Sequence, residues 1–292
     1  MKIGLGTAQF GLDYGISNQE GQTSPSEVAK ILEAAKQFRV SVIDTAALYG
    51  NSEEVLGNTL PQDNDFKLVT KTIRIDSSRI TAADADRLEN AFLDSLLKLR
   101  CSAIYGLMIH NADALLVDGG EILMERLVAQ KHSGRVAKIG VSVYTADQID
   151  RLMQRYELDL IQLPLNVLDQ RLLAGGQLKT LKTRGVEIHV RSAFLQGVLL
   201  MKPENLPEHF AAVRQHLEYY HNFLRDRGIS PVRAALGFLS SLDDIDVIVC
   251  GVNSLCQFIE ICRSSDPLPD IDFSQFALDD AATLNPSLWR TA

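Results

Sequence analysis

The sequence predicts a closed (β/α)8 barrel, a TIM barrel, folded as a single domain, and three observations carry that expectation. Eight short apolar, β-branched runs recur along the 292 residues, helical stretches with recognisable starts separate them, and no shift in composition marks a second domain. The length is somewhat above the roughly 250 residues of a typical barrel of this kind. The single domain covers 1–292, and the stretch from about 265 to 292 reads as a short, proline-interrupted C-terminal tail. An open doubly wound sheet is the structural rival.

In chain order the candidate strands are KIGLGT (2–7), VSVIDT (40–45), FKLVTK (66–71), AIYGLMIH (103–110), AKIGVSV (137–143), LDLIQLPL (158–165), VEIHVRS (186–192) and DVIVCG (246–251). Most lack strict alternation of apolar and polar residues, as expected of parallel strands covered on both faces. The stretch GLGTAQFG faintly resembles a dinucleotide fingerprint, but its glycines at 4, 6 and 11 miss the G-x-G-x-x-G spacing. No helix is expected to follow it at once.

The intervening helices announce their starts. Ser24-Pro25-Ser26-Glu27 offers an N-cap serine, a first-turn proline and a capping-box glutamate. Thr145 with Gln148, and Ser254 with Gln257, repeat the capping-box spacing, and Ser230-Pro231 opens another helix. Over 82–99, Leu88, Ala91, Phe92, Leu96 and Leu99 form an apolar stripe of helical period. A long additional helical stretch is expected at about 207–227, before the last strand.

Composition narrows the function. Hydrophobic residues at 46% and charged residues at 23% fit a globular chain with a real core. A net charge of −8 without Lys/Arg clusters offers no surface for nucleic acid or anionic lipid. No apolar run approaches the ~18 residues of a membrane helix, and glycines break the first run before it could act as a signal peptide. Cys101, Cys250, Cys256 and Cys262 have no C-x-x-C spacing and read as reduced thiols, so the expected compartment is the cytoplasm. His209, His216 and His221 share a probable helix, but no cysteine or carboxylate cluster completes a metal site.

A barrel carries its chemistry at the carboxyl ends of its strands. Asp44 ends the second strand, Tyr49 lies in the loop after it, Lys71 ends the third and His110 the fourth. Neighbouring strands lie about 4.8 Å apart, so these four side chains should converge on one rim. Singly, each has an ordinary structural explanation: a loop cap, a surface aromatic, a solvated lysine, a satisfied imidazole. Together they make sense as a proton donor. A phenol titrates near pH 10, too high for an efficient acid at neutrality, and a neighbouring ammonium favours its ionised form. Lys71 supplies that ammonium, Asp44 holds it, and a neutral His110 orients a substrate oxygen.

These residues sit in motifs that resemble the aldo-keto reductase family over about residues 2–262: GLGTAQFG, IDTAALYGNSEEVLG, LVTKT, MIH, KIGVSV and IQLPLN. The resemblance implies a (β/α)8 barrel and NAD(P)H-dependent reduction of a small aldehyde or ketone. It implies Tyr49 as general acid/base, Lys71 and Asp44 as its tuning pair, and His110 as the residue that orients the carbonyl. It further implies cofactor contacts from Gly6, Thr7, Asp44, Ser142, Gln162, Arg191, Ser192, Phe194, Gly197, Gly251, Asn253, Ser254, Gln257 and Glu260. Two positions depart from the family pattern. Val143 replaces the usual Asn beside the serine, and Arg191 stands where an aromatic ring usually stacks on the nicotinamide, a role a planar guanidinium can take. In CGVNSLCQFIE (250–260) the basic side chains that hold a 2′-phosphate are missing, although the serine-capped helix start suits an anion. The family favours NADP(H), and this segment leaves NAD(H) open.

The loop after His110 is short, so a shallow, open substrate pocket is expected. Two other functions remain open from sequence: a nicotinamide-binding regulatory or sensor protein without turnover, and a lyase or aldolase using Lys71 as a Schiff base.

Overall fold

The computed structural model describes residues 2–289 apart from residue 62. Its eight strands are β1 (Ile3–Gly6), β2 (Val42–Asp44), β3 (Lys67–Lys71), β4 (Ile104–Ile109), β5 (Val136–Ser142), β6 (Leu160–Pro164), β7 (Glu187–Arg191) and β8 (Val247–Gly251). They pair in sequence order, all parallel, and β8 returns to β1 through Ile3↔Ile248 to Gly6↔Gly251, closing the barrel. The closed order excludes the doubly wound sheet. Seven lie within the stretches read from sequence, and β5 begins one residue earlier, at Val136.

The helices are α1 (Ala8–Gly11), α2 (Pro25–Gln37), α3 (Ser52–Thr59), α4 (Ala82–Leu99), α5 (Gly120–His132) and α6 (Ala146–Arg155), followed by α7 (Arg171–Ala174) and α8 (Gln177–Thr183). The last four are α9 (Arg214–Asp226), α10 (Pro231–Ser240), α11 (Leu255–Arg263) and α12 (Ala281–Leu284). The main core lies between the strands and this outer layer, while Val42, Val69, Met108, Leu160, Val247 and Val249 fill the barrel interior. Strands buried on both faces have no reason to alternate, which explains their sequence pattern.

Most of the helix starts form as read. Ser24, Thr145, Ser230 and Ser254 each accept the amide three residues on, and Gln148 returns the bond to Thr145. Two capping boxes are not closed. Gln257 accepts from the Asn253 amide instead of Ser254, and Glu27 turns away from its own helix to the amide of Leu255. A helix does follow β1 at once: α1 is anchored by Phe10, which is fully buried. The stretch at 207–227 begins as a 3-10 segment over Glu208–Val213 and becomes α-helical only at Arg214.

The tail is stitched to the barrel. The Phe273 carbonyl accepts from Gln170 at 2.8 Å, the Leu278 amide donates to Leu168 O at 2.8 Å, and Phe276 packs edge-on against Tyr220 and Phe223. Residues 290–292 of the expected tail lie outside the described residues. Among the described residues, no helix is long and apolar enough to cross a membrane, and no group of His, Cys, Asp or Glu could hold a metal ion.

Candidate active site

The carboxyl ends of the strands open into a groove of about 760 Å³, within the range of small-molecule sites. Asp44, Tyr49, Lys71 and His110 all line it. The buried Lys71 ammonium donates three bonds: to Asp44 Oδ1 at 2.6 Å, to the Thr45 carbonyl at 2.9 Å and to the Tyr49 hydroxyl at 3.4 Å. Asp44 Oδ2 accepts from Gln162 Nε2 at 2.8 Å, so both carboxylate oxygens are engaged. Burial pulls the Lys71 pKa down, but Asp44 and Tyr49 more than offset it and hold the amine above its usual value. The pair sits where a lone charge would be very costly.

His110 follows β4 and stands edge-on to Tyr49, with ring centroids 6.1 Å apart. Burial, reinforced by the Lys71 ammonium, lowers its pKa to about 4 and keeps the imidazole neutral near neutrality. Its buried Nδ1 has no partner among the described residues.

Backbone crowding fixes Tyr49. Gly50 adopts φ +56°, and a Cβ there would stand 2.2 Å from the Gly11 carbonyl oxygen; a Cβ on Gly11 would stand 1.8 Å from Tyr49 O. Only two glycines let the loops after β1 and β2 come this close. A chain of hydroxyls ties them further: Thr7 donates to the Asp44 carbonyl at 3.0 Å, and Ser52 donates to the Thr7 carbonyl at 2.8 Å. The Thr7 hydroxyl is thus fully buried and positions the end of β2.

Of the residues read as cofactor contacts, Gly6, Thr7, Asp44, Ser142, Gln162, Arg191, Ser192, Phe194, Gly197, Gly251, Asn253, Gln257 and Glu260 line the groove. Ser254 does not, because its hydroxyl turns to the Gln257 amide. Val143 is fully buried, and its carbonyl accepts from Arg191 at 3.0 Å. The Arg191 guanidinium lies 4.1 Å from the centroid of the Tyr144 ring, so one of its faces is already covered.

Sequence reasoning missed Tyr14, Gln9, Tyr144, Gln196, Gly15 and the segment from Ser17 to Glu20, all of which line the groove. Tyr144 could have been found, since it lies two residues beyond Ser142 at a strand end. Tyr14 and its neighbours carry no periodic signal. They meet the loop after β7, where Leu195, Gln196 and Gly197 all take positive φ and a Cβ on Gly197 would strike Ser17. The loops after β1 and β7 thus supply much of the groove's lining, a contribution not read from the sequence.

Residues 2–277 match the model of the Aldo/keto reductase family. The chain belongs to that family. It is 27% identical over 180 residues to an aldo-keto reductase, YhdN, of Bacillus subtilis, covering 59% of this chain and 52% of that protein. It is 30% identical over 152 residues to a 6-dehydroglucose reductase of Novosphingobium aromaticivorans, covering 46% and 47%. The chain thus spans about half the length of these curated relatives. The fold is that of the holo form of aldo-keto reductase AKR11C1 from Bacillus halodurans, with a TM-score of 0.75, 19% identity, and 94% of this chain and 89% of that one covered. The glycerol dehydrogenase AKR11B4 of Gluconobacter oxydans superposes with a TM-score of 0.69 at 21% identity over 92% and 88%.

The donor set of the groove fits a nicotinamide dinucleotide. The Gln9 Oε1 and His110 Nδ1 atoms are buried without partners among the described residues, and Ser142 and Arg191 border the groove beside the tetrad.

Proposed function

We propose that this aldo-keto reductase family member reduces a small aldehyde or ketone to the alcohol with NAD(P)H. The observation that carries the reading is the buried Lys71 ammonium, bonded at once to the Asp44 carboxylate and the Tyr49 phenol at the groove's inner end. Bound there, the reduced nicotinamide supplies the hydride.

Tyr49 gives its proton to the carbonyl oxygen as negative charge develops on it. The phenolate left behind faces the Lys71 ammonium, which stabilises it and lowers the cost of the transfer. Asp44 keeps that ammonium charged and in place, and Gln162 fixes Asp44. Neutral His110 donates a hydrogen bond to the same carbonyl oxygen and orients it for protonation. Solvent then returns a proton to Tyr49. Ser142, Gln162 and Arg191 hold the nicotinamide end of the cofactor in this reading, and the turn after β8 holds the other end. The four free cysteines fit a reducing compartment such as the cytoplasm.

The geometry speaks against Lys71 as a Schiff-base lysine. That chemistry needs a neutral, accessible amine, whereas this one is charged, 1% exposed and triply bonded. The test is Tyr49→Phe, assayed over a panel of aldehydes and ketones beside a cofactor titration. The expected result is cofactor binding unchanged and turnover nearly abolished; substantial turnover in the variant would sink the assignment.

A further inference from the structure

The groove does not stop at the tetrad. It leaves the barrel mouth over the end of β8, past Gly251 and Asn253, and continues along α11, where Gln257, Glu260 and Ile261 line it with Val232 of α10. If the nicotinamide lies at the tetrad, as proposed above, this arm takes the adenosine half of the cofactor. A 2′-phosphate on that half would arrive as a dianion, and its reception depends on the charges already there.

Those charges are of the wrong sign. The lysine and arginine residues that line the groove, Lys71 and Arg191, both stand at the strand ends around the mouth. Along the outer arm the charged lining is Glu260, with Glu20 from the loop after β1. Three amides around the start of α11 are already taken. Glu27 reaches across from α2 and places Oε1 2.8 Å from the Leu255 amide, the first of the helix. The Gln257 amide is capped by Ser254, and the Asn253 amide by the Gln257 side chain. A helix N-terminus attracts phosphate through such open amides and its partial positive charge. Here a carboxylate already takes the first of them. The amide bond and Lys30 hold Glu27 below the usual carboxylate range, so it is ionised at neutral pH. The lysine beside it offers no spare charge, since Lys30 Nζ is paired with Glu27 Oε2 at 3.0 Å.

We propose that this chain takes NADH in preference to NADPH, and that Glu27 sets part of that preference by occupying the N-terminus of α11 with its own carboxylate. A ribose 2′-hydroxyl suits this arm, because it is neutral and can donate to the carboxylate and amide oxygens around it. A 2′-phosphate meets the field of Glu20, Glu27 and Glu260 without a counter-ion. This preference runs against the family-based leaning towards NADP(H), and it works through a residue on α2 that lies 228 positions from the amide it caps.

Glu27→Gln is the informative variant, because the amide oxygen can still cap Leu255 while the charge disappears and Lys30 is released. NADH and NADPH are titrated separately into the wild-type chain and the variant, following energy transfer from protein fluorescence to the bound nicotinamide. The wild type is expected to bind NADH about tenfold or more tightly than NADPH. The variant should tighten NADPH by roughly three- to tenfold, the size of a helix-terminus charge effect, and leave NADH unchanged. Raising the salt concentration should narrow the wild-type gap by screening the carboxylates. Equal or tighter NADPH binding by the wild type would overturn the preference and leave the dinucleotide reading standing. An unchanged ratio in Glu27→Gln would remove Glu27 from the explanation. Binding of neither cofactor would instead overturn the reading on which this inference rests.

Discussion

Each end of the barrel carries a carboxylate, a phenol, a lysine and a histidine, in different company. At the mouth stand Asp44, Tyr49, Lys71 and His110; at the opposite end, near the starts of β4, β5 and β7, stand Glu187, Tyr105, Lys138 and His189. At the mouth the phenol receives its bond from the ammonium, at 3.4 Å, and its own proton is left for a ligand in the groove. At the floor the phenol of Tyr105 donates to Glu187 Oε2 at 2.6 Å, and Lys138 and His189 bond the same carboxylate. Burial and the Glu187 bond push the Tyr105 pKa up, so that proton is held rather than offered. Residue types alone do not make an acid. What matters is whether the phenol faces a cation or an anion, and whether a cavity adjoins it.

The sharpest way to break this comparison is to remove both phenols in turn. Tyr49→Phe should cut kcat by roughly 10²–10⁴-fold, the usual contribution of a positioned acid, while Tyr105→Phe leaves kcat unchanged in the same steady-state assay. Comparable losses in the two variants would erase the distinction.

Next comes the lysine pair. Lys71→Met leaves the Asp44 charge buried without its partner and should cost about 3–5 kcal/mol in a urea unfolding series. Lys138→Met should cost about 0–1 kcal/mol, because its bridge is partly open to solvent and Glu187 keeps two other partners.

The pH dependence separates the ends again. His110 titrates at about 4 when folded and near its ordinary value of 6.5 when unfolded. Between those values only the unfolded chain takes the proton, so stability falls as pH drops from about 6.5 to 4. His110→Gln should flatten that stretch of the curve of unfolding free energy against pH. Glu187 acts lower. Burial alone would raise its pKa, but the bonds from His189, Lys138 and Tyr105 hold it well below the usual value of 4.5. Its stabilisation is present above about 4.5 and is lost as acid protonates the carboxylate. Glu187→Gln should remove that acid-side loss without moving kcat; a change in turnover would link floor and mouth. A small effect is also expected for Tyr105→Phe, which should lower stability by about 1 kcal/mol for one hydrogen bond, read as a shift in the urea midpoint.

The eight strands were legible because each is a short apolar run bounded by helix caps and turns. The mouth was legible because Asp44, Lys71 and His110 interrupt or end such runs, and a barrel presents strand ends on one rim. Tyr105 and Glu187 near strand starts gave no comparable signal. Nor did Tyr14, whose loop reaches the groove only by packing against the strained backbone after β7. The capping-box spacing at Ser24 and Glu27 was real, but Glu27 found a better-placed amide in another helix.

By itself the sequence determined the elements, their order and the residues delivered to the rim, because hydrophobic period and capping are local properties of the chain. Only the tertiary structure decided the pairings: Lys71 with Tyr49 and Asp44, Tyr105 with Glu187, Arg191 over Tyr144, and Glu27 on Leu255. Hydrogen-bond and charge partners are chosen by distance and direction in space, and closing β8 onto β1 brings together groups that the chain keeps far apart.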